Sequence, residues 1–386
     1  MIAIAFIESS YTGAGKQCIE WCIKNSIRPI LLTKDRTQYN FIADIGDKLT
    51  VVDINTGDES EIKKWAKIQI SIPYFATTDD YSVVITAKLR QSFSQNTISV
   101  SSVKLCRNKK LLREAMAKTL SEASTNHLLF DTSSPLKLRF PIVAKPTSYT
   151  GSIGVKLCNT ISEIKSHISS FANYTPPGSN GETEWLLEEY ISGDEYSVEI
   201  FDSVIVGFTK KYKYPLPYFV EKGHIFPAPI RNNDLNKFKE QINNIVLQLE
   251  LLEGPLHMEV IVDENGIIHI VEINARLPGD CIPFLIKEAI GIDLIDLYMN
   301  YVIETKHKTN SLGRKYTENK FVGILFGVGY DQLINQISKE ITIIESLKGN
   351  SQGPKKALPK LSNLDRSGYV ILSSENCEAL ETVFCD

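Results

Sequence analysis

The sequence predicts a multidomain α/β protein, with a small doubly wound domain followed by antiparallel sheet. Three observations carry this reading. The 386 residues exceed what one ordinary hydrophobic core serves, so roughly two to four domains are expected. The first part of the chain alternates short apolar runs with helical spacing, as βαβ units do. Later runs are separated by tight polar turns, as antiparallel strands are.

Ile2 to Ile7 is an unbroken apolar run of the kind a strand buried on both faces makes. Helical spacing follows through Ile19 and Ile23, then RPILLT (28–33) and KLTVVDI (48–54) supply two more strands. Residues 1 to about 100 thus form the doubly wound unit. NKKLLREAMAK, from Asn108, reads as a helix capped by its asparagine. FPIVAKP (140–146) is a strand running into the loop TSYTGSIG, and Thr160 and Glu163 stand in capping-box spacing at the next helix. YTPPGSNGET (174–183) is a loop. EWLLEEYI, EYSVEIF and VIVGFTK, parted by Ser-Gly-Asp and Asp-Ser turns, are expected to form one antiparallel meander. Leu235, Phe238, Ile242, Ile245 and Leu249 mark one helix face. HMEVIVDENGIIHIVEINAR (257–276) is a hairpin with Asn265-Gly266 in its turn. The region beyond about 305 ends in SGYVILSSENCEALE, a strand then a helix, and is expected to be a small terminal subdomain.

A composition 43% hydrophobic and 23% charged is globular, and a formal charge of −4 offers no general attraction to nucleic acid or anionic lipid. The run Lys210-Lys211-Tyr212-Lys213-Tyr214 reads as a solvated strand end rather than a nucleic-acid patch, which needs several contacts. No apolar stretch approaches the ~20 residues that cross a bilayer. The apolar start stops at Glu8 without a basic region or a small-residue cleavage site, so no signal peptide is read. Seven cysteines, with no Cys-x-x-Cys pair, suit reduced thiols in the cytosol, and Cys18 and Cys22 share a helix face as core packing would require. A cytoplasmic protein without nucleic-acid or membrane partners is expected.

Two stretches resemble phosphate-binding loops. ESSYTGAGKQ (8–17) ends as the motif G-x-x-x-x-G-K-[ST] does, but Ser10 stands at the first glycine and Gln17 at the magnesium-binding hydroxyl. It reads as a glycine turn between strand and helix. Because it closes the first strand of an α/β sheet, Ser9 to Gly15 remain candidates for substrate contact, while Lys16 is not expected to bind phosphate. KPTSYTGSIGVK (145–156) is stronger: Lys145 closes a strand, and the glycines and hydroxyls after it leave many backbone N–H groups free to face oxyanions. Its alternative is a plain hairpin loop.

In the 257–276 hairpin, Glu272, Asn274 and Arg276 share a face by alternation. If Val262 and Ile267 flank the turn, Glu259 joins them, diagonal to Glu272 and roughly 7 Å away. Met258, Val260, Val262, Val271 and Ile273, with His269, then fall on the opposite face. Two carboxylates and an amide oxygen make a hard oxygen set suited to Mg²⁺; the alternative is an outward polar strand surface.

Taken together, and in this order over most of the chain, these residues resemble the ATP-grasp superfamily of carboxylate–amine ligases. The resemblance implies an N-terminal α/β domain (1–105) and a central subdomain with a mobile lid (106–190). It further implies an antiparallel C-terminal subdomain carrying the metal site (191–305), with a small terminal subdomain (306–386) after it. Lys109 and Lys145 match its phosphate-binding lysines, with Arg113 one turn after the first. The loop of Ser148, Thr150, Gly151, Ser152 and Gly154 matches its lid over ATP. In LLEEYISGDEYSVEIF, Glu188, Glu189, Tyr190 and Ile191 would border the adenine, and Glu195 would take the ribose hydroxyls. Glu259, Glu272 and Asn274 match the ligands of two Mg²⁺, for which Mn²⁺ could substitute. Arg276 matches the arginine that steadies the transferred phosphoryl group.

Within the superfamily the sequence most resembles the L-amino-acid ligases that make dipeptides. YFVEKGHIFPAP is similar to their Glu-x-Gly-His segment and would place Glu221 and His224 near the substrates; NARLPGD would add Arg276, Gly279 and Asp280. Pro278 departs from their glycine, which leaves the pocket shape open. The resemblance implies that a carboxylate and an amine, from amino acids, are joined through an acyl phosphate, releasing ADP and phosphate. Arg276, His224 and Glu221 would be catalytic, with the base undecided between the last two. A homodimer is compatible with this reading; an enzyme activating formate or bicarbonate and a regulatory ATP-binding module are the alternatives.

Overall fold

The computed structural model describes residues 2–10, 13–120, 125–131, 136–176, 179, 183–304, 320–327, 337–347, 362–363, 366 and 368–385. The first sheet is parallel, with strands β1 (Ala3–Ile7), β2 (Arg28–Thr33), β3 (Thr50–Asp53) and β4 (Tyr74–Ala76) in the order β3-β2-β1-β4. Ile4 and Phe6 pack into a core shared with helices Ile282–Ile290 and Leu294–Val302. Ala5 and Ile7 pack oppositely, with Ile62, Phe75 and Leu89. Burial of both faces is why the run carries no polar alternation. Cys18 and Cys22 lie fully buried in the first of these cores.

The second sheet is antiparallel: β5 (His127–Leu129), β6 (Ile142–Pro146), β7 (Lys156–Cys158) and β8 (Trp185–Glu189), ordered β5-β8-β6-β7. The helix Lys109–Thr119 begins as expected, the Asn108 side chain accepting from the N–H groups of Lys110 and Leu111. Helix Ile161–Ser170 is capped by Thr160, which accepts from the Glu163 N–H, while the Glu163 carboxylate accepts from the Asn159 N–H.

The third sheet has eight strands: β9 (Asp194–Phe201), β10 (Val204–Lys213), β11 (Glu221–Phe226), β12 (Pro255–Val262), β13 (Ile268–Asn274), β14 (Phe321–Phe326), β15 (Thr342–Leu347) and β16 (Tyr369–Ser374). They run antiparallel in the order β13-β12-β9-β10-β11-β14-β16-β15. Two expectations are corrected here. EWLLEEYI is β8 of the second sheet, so only EYSVEIF and VIVGFTK pair with each other. The chain crosses between sheets at Ile191–Gly193, where a Cβ on Gly193 would lie 2.2 Å from the Val262 carbonyl oxygen. The terminal strands β14, β15 and β16 extend the large sheet rather than standing apart, and with Leu380 and Phe384 they bury a satellite core against Ile225. Helix Asn232–Gln248 buries Phe238, Ile242 and Ile245 as its periodicity requires. Among the described residues no helix is long and apolar enough to cross a membrane.

Candidate active site

The hairpin carries the expected carboxylates in a different register. Glu259 faces Glu272 directly, and His257 faces Asn274. A bulge just beyond Glu259 skips Val271, so Val260 pairs with Ile270 and Val262 with Ile268. The extra residue reverses the parity of β13: Ile268 and Ile270 enter the core, whereas His269 and Val271 line the cleft instead of the apolar face. Directly opposed side chains have Cβ atoms roughly 4.5–5.5 Å apart, so the two carboxylates stand nearer than a diagonal pair.

Between the second and third sheets lies a cleft lined by Lys109, Lys145, Glu188, Glu259 and Glu272. Lys145 closes β6 at its floor, 4% exposed, its Nζ 2.5 Å from Glu188 Oε2. Arg113 Nε meets the other Glu188 oxygen at 2.6 Å, and its Nη2 donates to the Val271 carbonyl, tying the helix to the bulge. Burial works to raise the Glu188 pKa, but Arg113 and Lys145 outweigh it and hold the carboxyl down to about 2. Burial dominates at Lys145 and pushes its amine down to about 8. Lys109 Nζ lies 2.9 Å from Glu272 Oε2 and donates to the Tyr149 carbonyl at 2.9 Å. Despite its burial, Glu272 is held well below the usual carboxylate range by Lys109 and the Asn274 amide, which donates at 2.9 Å.

Lys211 is the residue the sequence misplaces. It is not a solvated strand end but 6% exposed, its Nζ 2.6 Å from both Glu221 Oε1 and Glu259 Oε1 and 3.9 Å from Glu195 Oε1. Pairing across the sheet puts Ile261, Glu195 and Lys211 in one row, and Glu259, Ser197 and Thr209 in the next. The signal was present in alternation: Thr209, Lys211 and Lys213 share a face of β10, and Lys213 also reaches Glu195.

Beyond Lys211 the strand β11 presents a second cluster. His224 Nε2 lies 3.4 Å from both Glu221 Oε2 and Asp280 Oδ2. Burial opposes its charged form, yet hydrogen bonds that it donates to Asp280 and Glu221 raise its pKa. Arg366 closes the cluster, with Nη2 2.6 Å from Asp280 and Nη1 3.5 Å from Glu221, its guanidinium 3.9 Å over the Phe326 ring. Asn363 accepts from the Glu221 N–H and donates its own N–H to the Gly151 carbonyl, joining this cluster to the glycine loop. Neither Asn363 nor Arg366 carries a local motif that points here. Pro278 is buried, and Asp280 and Cys281 after it are both left-handed, with φ of 51° and 61°.

The structure thus brings Lys109, Lys145, Thr150, Gly151, Ser152, Glu188, Glu189, Tyr190, Ile191, Glu195, Glu221, Glu259 and Glu272 onto one cleft. Ser148 is turned to Thr183, and Gly154 packs its carbonyl on His167. His224, Asn274, Gly279 and Asp280 lie outside that lining. Arg276 also lies outside it: Asp80, just after β4, takes its Nε at 2.5 Å and its Nη2 at 2.7 Å, and the Leu277 carbonyl takes its Nη1. In this conformation the guanidinium is spent on Asp80 and the Leu277 carbonyl rather than facing the cleft.

Two sheets clasping a lysine-lined cleft under a glycine loop define the ATP-grasp fold, and residues 138–284 match the ATP-grasp domain. That stretch, which holds Lys145, the glycine loop and the Glu259–Glu272 hairpin, is the part of the chain that resembles the family. An uncharacterised protein of Sinorhizobium fredii is 25% identical over 313 residues, covering 78% of this chain and 63% of that protein. D-Alanine–D-alanine ligase A of Bacillus cereus is 30% identical over 190 residues, covering 45% of this chain and 58% of the ligase. The chain therefore spans less than two thirds of these relatives' length. The L-amino acid ligase of Bacillus licheniformis superposes over 100% of this chain and 96% of its own, with a TM-score of 0.78 and 16% identity, which establishes a shared fold.

Proposed function

We propose that the protein is an ATP-dependent ligase that joins the carboxylate of one amino acid to the amine of another, releasing ADP and phosphate. The observation that carries this reading is the set of three buried lysines, Lys109, Lys145 and Lys211, each held on a carboxylate that lines the cleft. Desolvated ammonium groups so placed can exchange a carboxylate for a phosphate oxygen, freeing Glu259 and Glu272 for a metal. The donor set fits Mg²⁺: two opposed carboxylates with Asn274 beside them are hard oxygen ligands. Mg²⁺ bound there would draw charge from the phosphoryl oxygens.

The remaining roles fall to the chain itself. Lys109, Lys145 and the N–H groups of the glycine loop would hold the phosphates, Glu189 to Ile191 would border the base, and Glu195 would take the ribose. A substrate carboxylate attacks the γ-phosphorus and ADP leaves; the second substrate's ammonium passes a proton to Glu221 or His224, the freed amine attacks the acyl carbon, and phosphate leaves as the amide sheds its remaining extra proton to solvent. Catalysis of this kind is mainly positioning and charge neutralisation. Glu221 and Asp280, kept ionised by Lys211 and Arg366, would receive the substrate ammonium beside His224. The loop around Gly151 would exclude water from the acyl phosphate. The amino-acid ligases among the relatives support the choice of substrate class.

The test is ADP and phosphate release over a panel of amino-acid pairs, with mass spectrometry of the product. Turnover that requires an amino-acid pair and yields their amide is expected. Turnover driven by bicarbonate or formate would replace the amino-acid reading, and nucleotide binding without turnover would favour a regulatory module.

A further inference from the structure

Behind the cleft the hydrogen bonds around Glu259 continue into the sheet. His257 precedes Glu259 by two residues on β12, so both project from one face. It is 5% exposed and spends both ring nitrogens on carboxylates. Its Nδ1 lies 3.1 Å from each oxygen of Glu199, and its Nε2 3.3 Å from Glu259 Oε1. Glu199 stands directly opposite His257 on β9, is 1% exposed, and also accepts from the Ser197 hydroxyl at 2.8 Å. A buried carboxylate–imidazole pair in a sheet is harder to accommodate than a hydrophobic pair of the same volume, so packing alone does not account for it.

The consequence is at Glu259. Its Oε1 receives both His257 and, at 2.6 Å, Lys211, whereas Oε2 accepts from none of the described residues. Rotation of the carboxylate would break both bonds at once.

We infer that Glu199 and His257 are positioning residues that fix Glu259 through Oε1, so that Oε2 is presented to a divalent cation shared with Glu272. The inference rests on the nucleotide-and-metal reading of the cleft. Groups that orient a metal ligand contribute roughly 10- to 100-fold in metal affinity. Glu199 acts on His257, and His257 acts on Glu259; neither touches substrate.

The experiment measures ADP affinity by calorimetry in saturating Mn²⁺ and in EDTA, for the full chain and its variants. The ratio of the two affinities reads the metal's contribution. His257→Leu is expected to lower that ratio roughly 10- to 100-fold while leaving the EDTA affinity within about twofold. His257→Gln, whose amide can still donate to Glu259, is expected to retain most of the ratio, and Glu199→Gln to fall between. If His257→Leu does not fold, the ordering of His257→Gln above Glu199→Gln carries the test. Ratios equal to wild type in all variants, or EDTA affinity lost in step with the ratio, overturn the inference and leave the proposed function standing. Wild-type protein that binds ADP in neither buffer overturns both.

Discussion

Two strands of this molecule end beside a glycine and a lysine, and the two places behave oppositely. After β1, the Gly15 N–H donates to Ser10 Oγ, and Lys16 lies on the surface of the first helix, 38% exposed, paired with Asp44 at 3.1 Å and Glu20 at 3.9 Å. At the end of β6, Lys145 is 4% exposed and clamped on Glu188, with the glycine loop arching beyond it. The β1 turn carries a broken copy of a phosphate-loop motif, and the β6 loop holds the proposed phosphate site. A Cβ on Gly15 would lie 2.1 Å from Ser9 Oγ, so that glycine serves the close approach of helix and strand end. On the proposed reading, the binding lysine is the one the fold strips of water and holds against a carboxylate, not the one that merely follows a glycine.

The largest expected effect comes from Lys145→Met. It leaves Glu188 buried with Arg113 as its remaining partner, and breaking such a pair costs about 3–5 kcal/mol. ADP affinity should fall by more than about 100-fold by calorimetry, with a lower melting temperature. The pH dependence has a definite sign. With its folded pKa pushed down by burial to about 8, against 10.5 ordinarily, Lys145 binds fewer protons folded than unfolded across that window. Its contribution to stability therefore rises with pH between those values, while ADP affinity declines above about pH 8 as the ammonium is lost. Lys145→Arg should abolish that inflection.

Lys211→Met tests whether buried pairing defines the site as sharply on β10. The acceptor oxygens of Glu195, Glu221 and Glu259 lie within 4.8 Å of one another and would lose their common cation. A loss of about 3 kcal/mol is expected, with thermal melts partly restored by Mg²⁺. Melts indifferent to Mg²⁺ would show that Lys211 is not standing in a cation's place. A smaller effect is expected of Arg366→Gln, which removes the cation between Asp280 and Glu221 but touches no residue of the phosphate end. The KM of the amine substrate should rise about tenfold, some 1.4 kcal/mol, with ADP affinity unchanged.

Much of this architecture was legible because local rules decided it. The run Ile2 to Ile7 announced two-sided burial, and Asn108 and Thr160 cap their helices as their positions require. The Glu259–Glu272 pair was visible, but its register was not, since a bulge at Val271 leaves no compositional mark. Lys211 was misread because charge was weighed ahead of alternation along β10. Arg366 lies 86 residues beyond its partner Asp280, and Arg276 lies 196 from Asp80; only the closed fold brings such pairs together. Sheet membership fails for the same reason, since β8 and β9 are neighbours in sequence yet belong to different sheets.

Lys16→Ala is the smallest expected effect and the most direct attempt to break the comparison. The side chain makes exposed ion pairs with Asp44 and Glu20, and solvent and salt screen such pairs until little remains. ADP affinity should stay within about twofold of wild type, and the melting temperature should barely move. Gly15→Ala is the informative neighbour: its Cβ would collide with Ser9 Oγ and, at 2.5 Å, with the Ser10 carbonyl oxygen, so the fold should suffer where the lysine is dispensable. A large loss of ADP affinity in Lys16→Ala at unchanged melting temperature would mean that the β1 turn swings onto the nucleotide, and that burial in a single conformation is the wrong measure of which lysine binds phosphate.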